Sequence, residues 1–115
     1  MLTVSFNFDR DKREASLCIK GHAGQAKIGQ DIVCASASIL AYTVAQIIKA
    51  MDSHKDLEET PTINLEHGDG IVSCRAKDDY LYSEVLHTFF VAQTGYTLLA
   101  HNYPQYVQII TDGEA

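Results

Sequence analysis

A single α+β domain, two layers deep, with two helices on a mainly antiparallel five-stranded sheet in the order ββαββαβ, is what this 115-residue sequence predicts. Three observations carry the prediction. Apolar residues alternate with period two in Thr3–Phe8 and again in Ala15–Ile19. An uncharged, alanine-rich run extends from Ile32 to Ile48, and Leu81, Val85, Phe89 and Ala92 recur at helical spacing further on.

The first two strands are expected to form an antiparallel hairpin across the charged turn Asp9-Arg10-Asp11, with Val4, Phe6, Phe8, Ala15, Leu17 and Ile19 on the buried face. Cys18 falls on the other face. Residues 21–30 hold three of the seven glycines and little that could anchor them, so a loop hinged at Gly21, Gly24 and Gly29 is expected. Asp31 then stands where an N-cap belongs, and Ile32 to Met51 is apolar nearly all round, which predicts a helix buried on several sides. Asp52 to Thr60 is charged and ends in Thr60-Pro61, the pattern of a surface linker. Thr62–His67 and Ile71–Ala76 flank His67-Gly68-Asp69-Gly70, a second hairpin signal that makes Cys74 a candidate core residue. Asp78-Asp79 opens the second helix with negative charge, Gly95 or Asn102 closes it, and Pro104 stops further helix before a last strand over Tyr106–Thr111.

Composition narrows the function. Nine Lys and Arg against a net charge of −6 and a pI near 5.2 argue against nucleic-acid binding, which depends on clustered cations. A basic protein partner suits this charge better. Three cysteines, an odd number, behind a start that lacks signal-peptide character are expected of a reducing cytoplasm. The apolar run Ile32–Ile48 includes Ser36, Ser38, Thr43 and Gln46 and is short for a membrane span, so no membrane partner is expected. His54, His67, His87 and His101 fall in separate elements without ligand spacing, so neither a metal nor another cofactor is expected.

The chemistry concentrates in residues 21–38. A thiol at Cys34, in the first turn of a helix, would sit among unpaired N–H groups and the positive end of the dipole, both of which favour the thiolate. His22, on a glycine-rich loop upstream, could fold back as its base. Backbone N–H groups around Val33 and Cys34 could then receive an oxyanion. Asp31 has two open roles, helix cap or a third residue orienting His22. Ser38, four residues after Cys34 and on the same helix face, could steady the site or back-bond to the helix. Against this stands the plain alternative of Cys34 as an inert packed thiol. A phosphate cradle is a further reading of loop and helix N-terminus, but neither the Gly-Lys-Ser/Thr of a P-loop nor Gly-x-Gly-x-x-Gly is present.

Gly21-His22-Ala23-Gly24, then Gly29-Gln30-Asp31-Ile32-Val33-Cys34-Ala35 and Ser38, resembles the signature of the ribosomal-processing cysteine proteases of bacteria, the Prp or YsxB-like family. Two positions depart from the pattern: Gln25 stands where an aromatic residue is common, and Ala37 where a branched one is. The resemblance implies that His22 and Cys34 are the catalytic pair of an endopeptidase. Its implied substrate is the N-terminal extension of a large-subunit ribosomal protein, and its implied assembly a homodimer, for which Tyr80, Tyr82 and Phe90 are candidate exposed aromatics. A non-catalytic module that grips the same ribosomal peptide is the alternative.

Overall fold

In a computed structural model, which describes residues 1–21, 28–66 and 69–115, with only the backbone of 28–31, the elements follow the expected order. They are β1 (Leu2–Asp9), β2 (Glu14–Lys20), α1 (Ile28–Ser53), β3 (Thr62–Glu66), β4 (Asp69–Arg75), α2 (Asp79–Asn102) and β5 (Val107–Glu114). The sheet order is β3-β4-β2-β1-β5.

Three of the four pairings are antiparallel, and β5 lies parallel to β1, from Leu2 opposite Val107 to Asp9 opposite Glu114. The sheet is therefore mixed. The parallel pair follows from chain length: α2 is 24 residues, about 36 Å at 1.5 Å per residue, and carries the chain from the end of β4 back to the end where β4 began. A strand starting there runs in the direction of β4 and β1.

Both helices cover one face of the sheet. Val4, Phe6, Phe8, Ala15, Leu17, Ile19, Val72 and Cys74 are buried there, while Thr3, Ser5, Ser16, Cys18 and Ser73 lie on the opposite, uncovered face. The alternation read from the sequence thus sorts these strands correctly. α1 lies over β3 and β4, and α2 over β2 and β5. Phe6 of β1 is the hub between layers, meeting Phe8, Phe89 and Tyr96 at centroid separations of 6.4, 6.5 and 5.9 Å. Side chains of this size each contribute about 1.5–3 kcal/mol when fully buried.

Several local expectations are corrected. The segment 52–60 is not wholly a surface linker: Leu57 is buried and bridges to Ala76, which extends the sheet edge by one rung. Gly95 does not end α2, which runs on to Asn102. Its hydrogen atom leaves a notch on which Leu40 of α1 rests, and a Cβ there would stand 2.9 Å from Leu40 Cδ2. Tyr82 is only 4% exposed, and its hydroxyl donates to the Glu14 carbonyl at 3.4 Å, so it is a core residue and not an exposed aromatic. Tyr80 and Phe90 are exposed as expected.

The largest difference concerns α1. It is buried on one side only, through Val33, Ala37, Ala41, Val44, Ala45, Ile48 and Met51. Ile32, Ile39, Tyr42 and Ile47 face outward, with Ile39 64% exposed. Its stretch Ile32–Ser53 is long and apolar enough to cross a membrane by length and composition, yet one face of it is packed on the sheet as a core helix.

Candidate active site

The chain leaves β2 for α1 at the end of the sheet where β2 finishes and β1 and β4 begin. Gly21 closes β2 with φ +104°, and a Cβ there would run into the Met1 carbonyl oxygen. Gly70 opens β4 opposite Ile19 with φ +142°, and a Cβ there would meet the Asn64 carbonyl. These positive-φ glycines let two pairs of backbones close together at this end of the sheet, β2 with the start of β1 and β4 with β3. His22 follows Gly21, and both His22 and Gly24 lie outside the described residues.

The helix departs from expectation at its start. Its backbone begins at Ile28, so Gly29 belongs to the first turn instead of the loop, and Asp31 is the fourth helical residue instead of the cap. Nothing between Ile28 and Asp31 forbids a helix: one glycine costs only about 1 kcal/mol against alanine, and the strong propensity downstream carries the ladder back through it. Cys34 therefore sits in the second turn. There, Val33 and Cys34 lie within the i→i−4 hydrogen-bonding span of the helix, beyond the first turn where the dipole acts most strongly.

Cys34 is half-buried and packs against the core cluster beside Val33, which is fully buried. Ser38, half-buried, follows one turn later. Between them, the carbonyl of Ala37 accepts a hydrogen bond of 2.8 Å from the hydroxyl of Tyr96 on α2. Tyr96 has no solvent-exposed surface, and burial holds its phenol well above the usual range. It therefore remains a donor throughout the pH range in which a protein of this kind works.

The other two thiols differ from Cys34 in setting. Cys18 is half-buried on the uncovered sheet face, opposite Ser5 and Ile71. Cys74 is buried, and its thiol is pushed up to about 12 by desolvation and, secondarily, by the charge of Glu14. A thiol so held is neutral and unreactive. Among the described residues, no group of three His, Cys, Asp or Glu side chains comes together to hold a metal. A groove between the helices, lined by Leu40, Val44, Ile47, His87, Val91 and Ala92, is apolar and contains none of the candidate residues.

Tyr96 was not singled out by the sequence, although a signal existed. The stripe Leu81, Val85, Phe89, Ala92 continues at the same spacing through Tyr96 and Leu99, and a tyrosine on a buried stripe needs a partner for its hydroxyl.

The model of the cysteine protease Prp family matches residues 1–108, nearly the whole chain and all of the Gly21–Ser38 motif. The chain belongs to the Prp family. It is accordingly a cysteine protease. Among solved structures, a Streptococcus mutans protein, SMU.848, is similar over 99% of this chain and 96% of its own, with 24% identity and a TM-score of 0.65. The essential ribosomal processing protease Prp of S. aureus, in complex with a covalently linked product peptide, matches over 97% of this chain and 100% of its own at 22% identity and a TM-score of 0.65. The same S. aureus protein with a substrate peptide matches at 20% identity and a TM-score of 0.64, again over 97% and 100%. At these identities the likeness establishes the ββαββαβ fold of the Prp chain. No curated protein sequence matches it.

Proposed function

We propose that this Prp-family protease removes the N-terminal extension of a large-subunit ribosomal protein, with Cys34 as nucleophile and His22 as general base and acid. The family match across both residues is the observation that carries this reading. Two features support it. Cys34 is a half-buried thiol on α1, as Cys18 is on the uncovered sheet face, whereas Cys74 is buried and neutral. The S. aureus relative is a ribosomal processing protease with a peptide bound, and a net charge of −6 suits a basic ribosomal substrate.

In the proposed reaction His22 takes the proton of Cys34, and sulfur attacks the scissile carbonyl carbon to form a tetrahedral oxyanion. Collapse breaks the C–N bond, and the imidazolium gives its proton to the departing amine. Water, deprotonated by His22, then hydrolyses the thioester and restores the thiol. Asp31 and Ser38 support this geometry. Gly21 and Gly24 serve a segment that orders over the peptide, with Gly29 in the helical turn that follows it, so substrates too short to engage it are cut slowly.

The setting proposed is the cytoplasm, with no nucleic acid, membrane or cofactor involved. The protein is proposed to act as a homodimer that covers the outward apolar residues Ile39 and Ile47 of α1 and Val91 and Leu98 of α2. Sedimentation at micromolar concentration is expected to give a dimer, and Val91→Asp a monomer. For the reaction itself, incubation with the N-terminal segment of the ribosomal protein followed by mass analysis is expected to yield two fragments, and Cys34→Ala none. Binding of the peptide without cleavage by the unaltered protein would instead indicate a gripping module.

A further inference from the structure

We infer that Tyr96 is a positioning residue for Cys34: its hydrogen bond to the Ala37 carbonyl, backed by the Leu40–Gly95 contact, fixes where along the sheet the nucleophile's turn of α1 rests. The inference deepens the protease reading and rests on Cys34 being the nucleophile.

The need for such a lock follows from how α1 packs. Its buried face carries alanine at 37, 41 and 45, each 2% exposed or less, between Val33 at one end and Val44, Ile48 and Met51 towards the other. At Ala37 and Ala41, just past Cys34, small residues allow close approach but leave few ridges of their own to resist a local shift of the helix. The Tyr96 hydroxyl reaches α1 at the residue one turn beyond Cys34. Being buried, that bond has no water to compete for it and none to replace it. The phenol ring is itself held: it packs edge-on to Phe6 at 5.9 Å, so the bond ties the nucleophile's turn to the centre of the sheet. Leu40, seated on Gly95, is placed by the residue next to Tyr96 in the chain, so the lock has two adjacent points on α2. Displacements of about 1 Å in a reacting group cost orders of magnitude in rate, so the loss of one such bond should be visible in turnover before it is visible in folding.

The test uses the full chain with Cys18→Ala as parent, so that Cys34 is the one accessible thiol beside buried Cys74. Three quantities are measured on Tyr96→Phe: cleavage of the ribosomal peptide as kcat and KM, the rate of Cys34 alkylation by iodoacetamide, and the melting temperature. We expect kcat to fall about three- to tenfold, the magnitude of one net hydrogen bond, with KM unchanged, and the alkylation rate to depart at least threefold from the parent. A lower melting temperature with kcat and alkylation both at parental values would overturn the inference and leave Tyr96 a packing residue. If the parent itself does not cleave, the alkylation arm still reports the placement of the thiol, so failure of the protease reading and failure of the lock are told apart. Should Tyr96→Phe not fold, Gly95→Ala, which keeps the phenol but displaces Leu40, carries the same comparison: a fall in kcat at constant KM supports the lock, and parental kinetics refute it.

Discussion

The two helices are of nearly equal length and share one face of the sheet, yet they are held in opposite ways. α2 is capped by Asp78, whose carboxylate accepts the Leu81 N–H at 2.8 Å, and it buries Tyr82, Val85, Phe89, Tyr96 and Leu99. α1 buries no aromatic: its stripe is Val33, Val44, Ile48 and Met51 with alanines at 37, 41 and 45 among them. Aromatic side chains anchor α2, whereas α1 adds to smaller buried side chains two contacts that α2 makes at Ala37 and Leu40. The proposed nucleophile rides on the helix with less grip of its own, which makes α2 part of the site's support although it carries no proposed reacting group.

The strongest way to break this comparison is chemical. Cys34→Ala on α1 is expected to abolish peptide cleavage with the fold intact, while Cys18→Ala on the uncovered sheet face leaves kcat within about twofold, and mass analysis of peptide fragments distinguishes them. Next in size is a structural contrast. Phe89→Ala should lose about 3–5 kcal/mol of stability in urea titration, because it empties the centre of an aromatic cluster that includes Phe6 and Phe8. Val33→Ala, at the alanine-rich face of α1, removes less volume and should cost markedly less. Equal losses at the two positions would mean that α1 is gripped as firmly as α2.

How far the sequence could be read depended on which interactions set each feature. Period-two alternation placed β1, β2 and their buried face, because burial on one side writes itself into every second residue. The direction of β5 was not legible, since alternation is the same for parallel and antiparallel strands and direction follows from the span of α2. The single-sided burial of α1 was equally hidden: Ile39 and Ile47 are as apolar as Val44 and Ile48, and composition does not say which of them faces the sheet. For the site, the motif through Cys34 and Ser38 was legible as chemistry. The partner that Tyr96 finds at Ala37, across 59 positions of sequence, was legible only as a demand for some acceptor.

A further contrast concerns pH. Cys74 on β4 has a folded value near 12 against 9.0 for an ordinary thiol, so the unfolded chain loses this proton at lower pH than the folded one does. Stability from this group is complete below pH 9 and declines as pH rises from about 9 towards 12. Tyr82 and Tyr96 act in the same direction above 10. Melting curves between pH 8 and 11 should therefore fall less steeply for Cys74→Ala than for the unaltered chain, after allowing for the constant loss from the truncation. An unchanged slope would show that Cys74 contributes no such linkage.

The smallest effect separates two carboxylates expected at helix starts, Asp31 as the cap of α1 and Asp78 as opening charge for α2. Asp78 caps α2, with extended backbone at φ −148° and its side chain on the Leu81 N–H, so Asp78→Ala should cost about 1 kcal/mol. Asp31 was read as the cap of α1, but the helical backbone starts at Ile28 and places it one turn inside. An aspartate there surrenders no cap when replaced, and alanine is the better helix former by several tenths of a kcal/mol, against a comparable dipole benefit to the carboxylate. Asp31→Ala is therefore expected to leave stability within about 0.5 kcal/mol of the unaltered chain. A loss near that of Asp78→Ala would restore the cap and with it the shorter helix, bringing Cys34 back into the first turn. If stability holds while kcat falls at constant KM, the carboxylate acts on the reaction through His22, because a helix cap would have moved the melting curve as well.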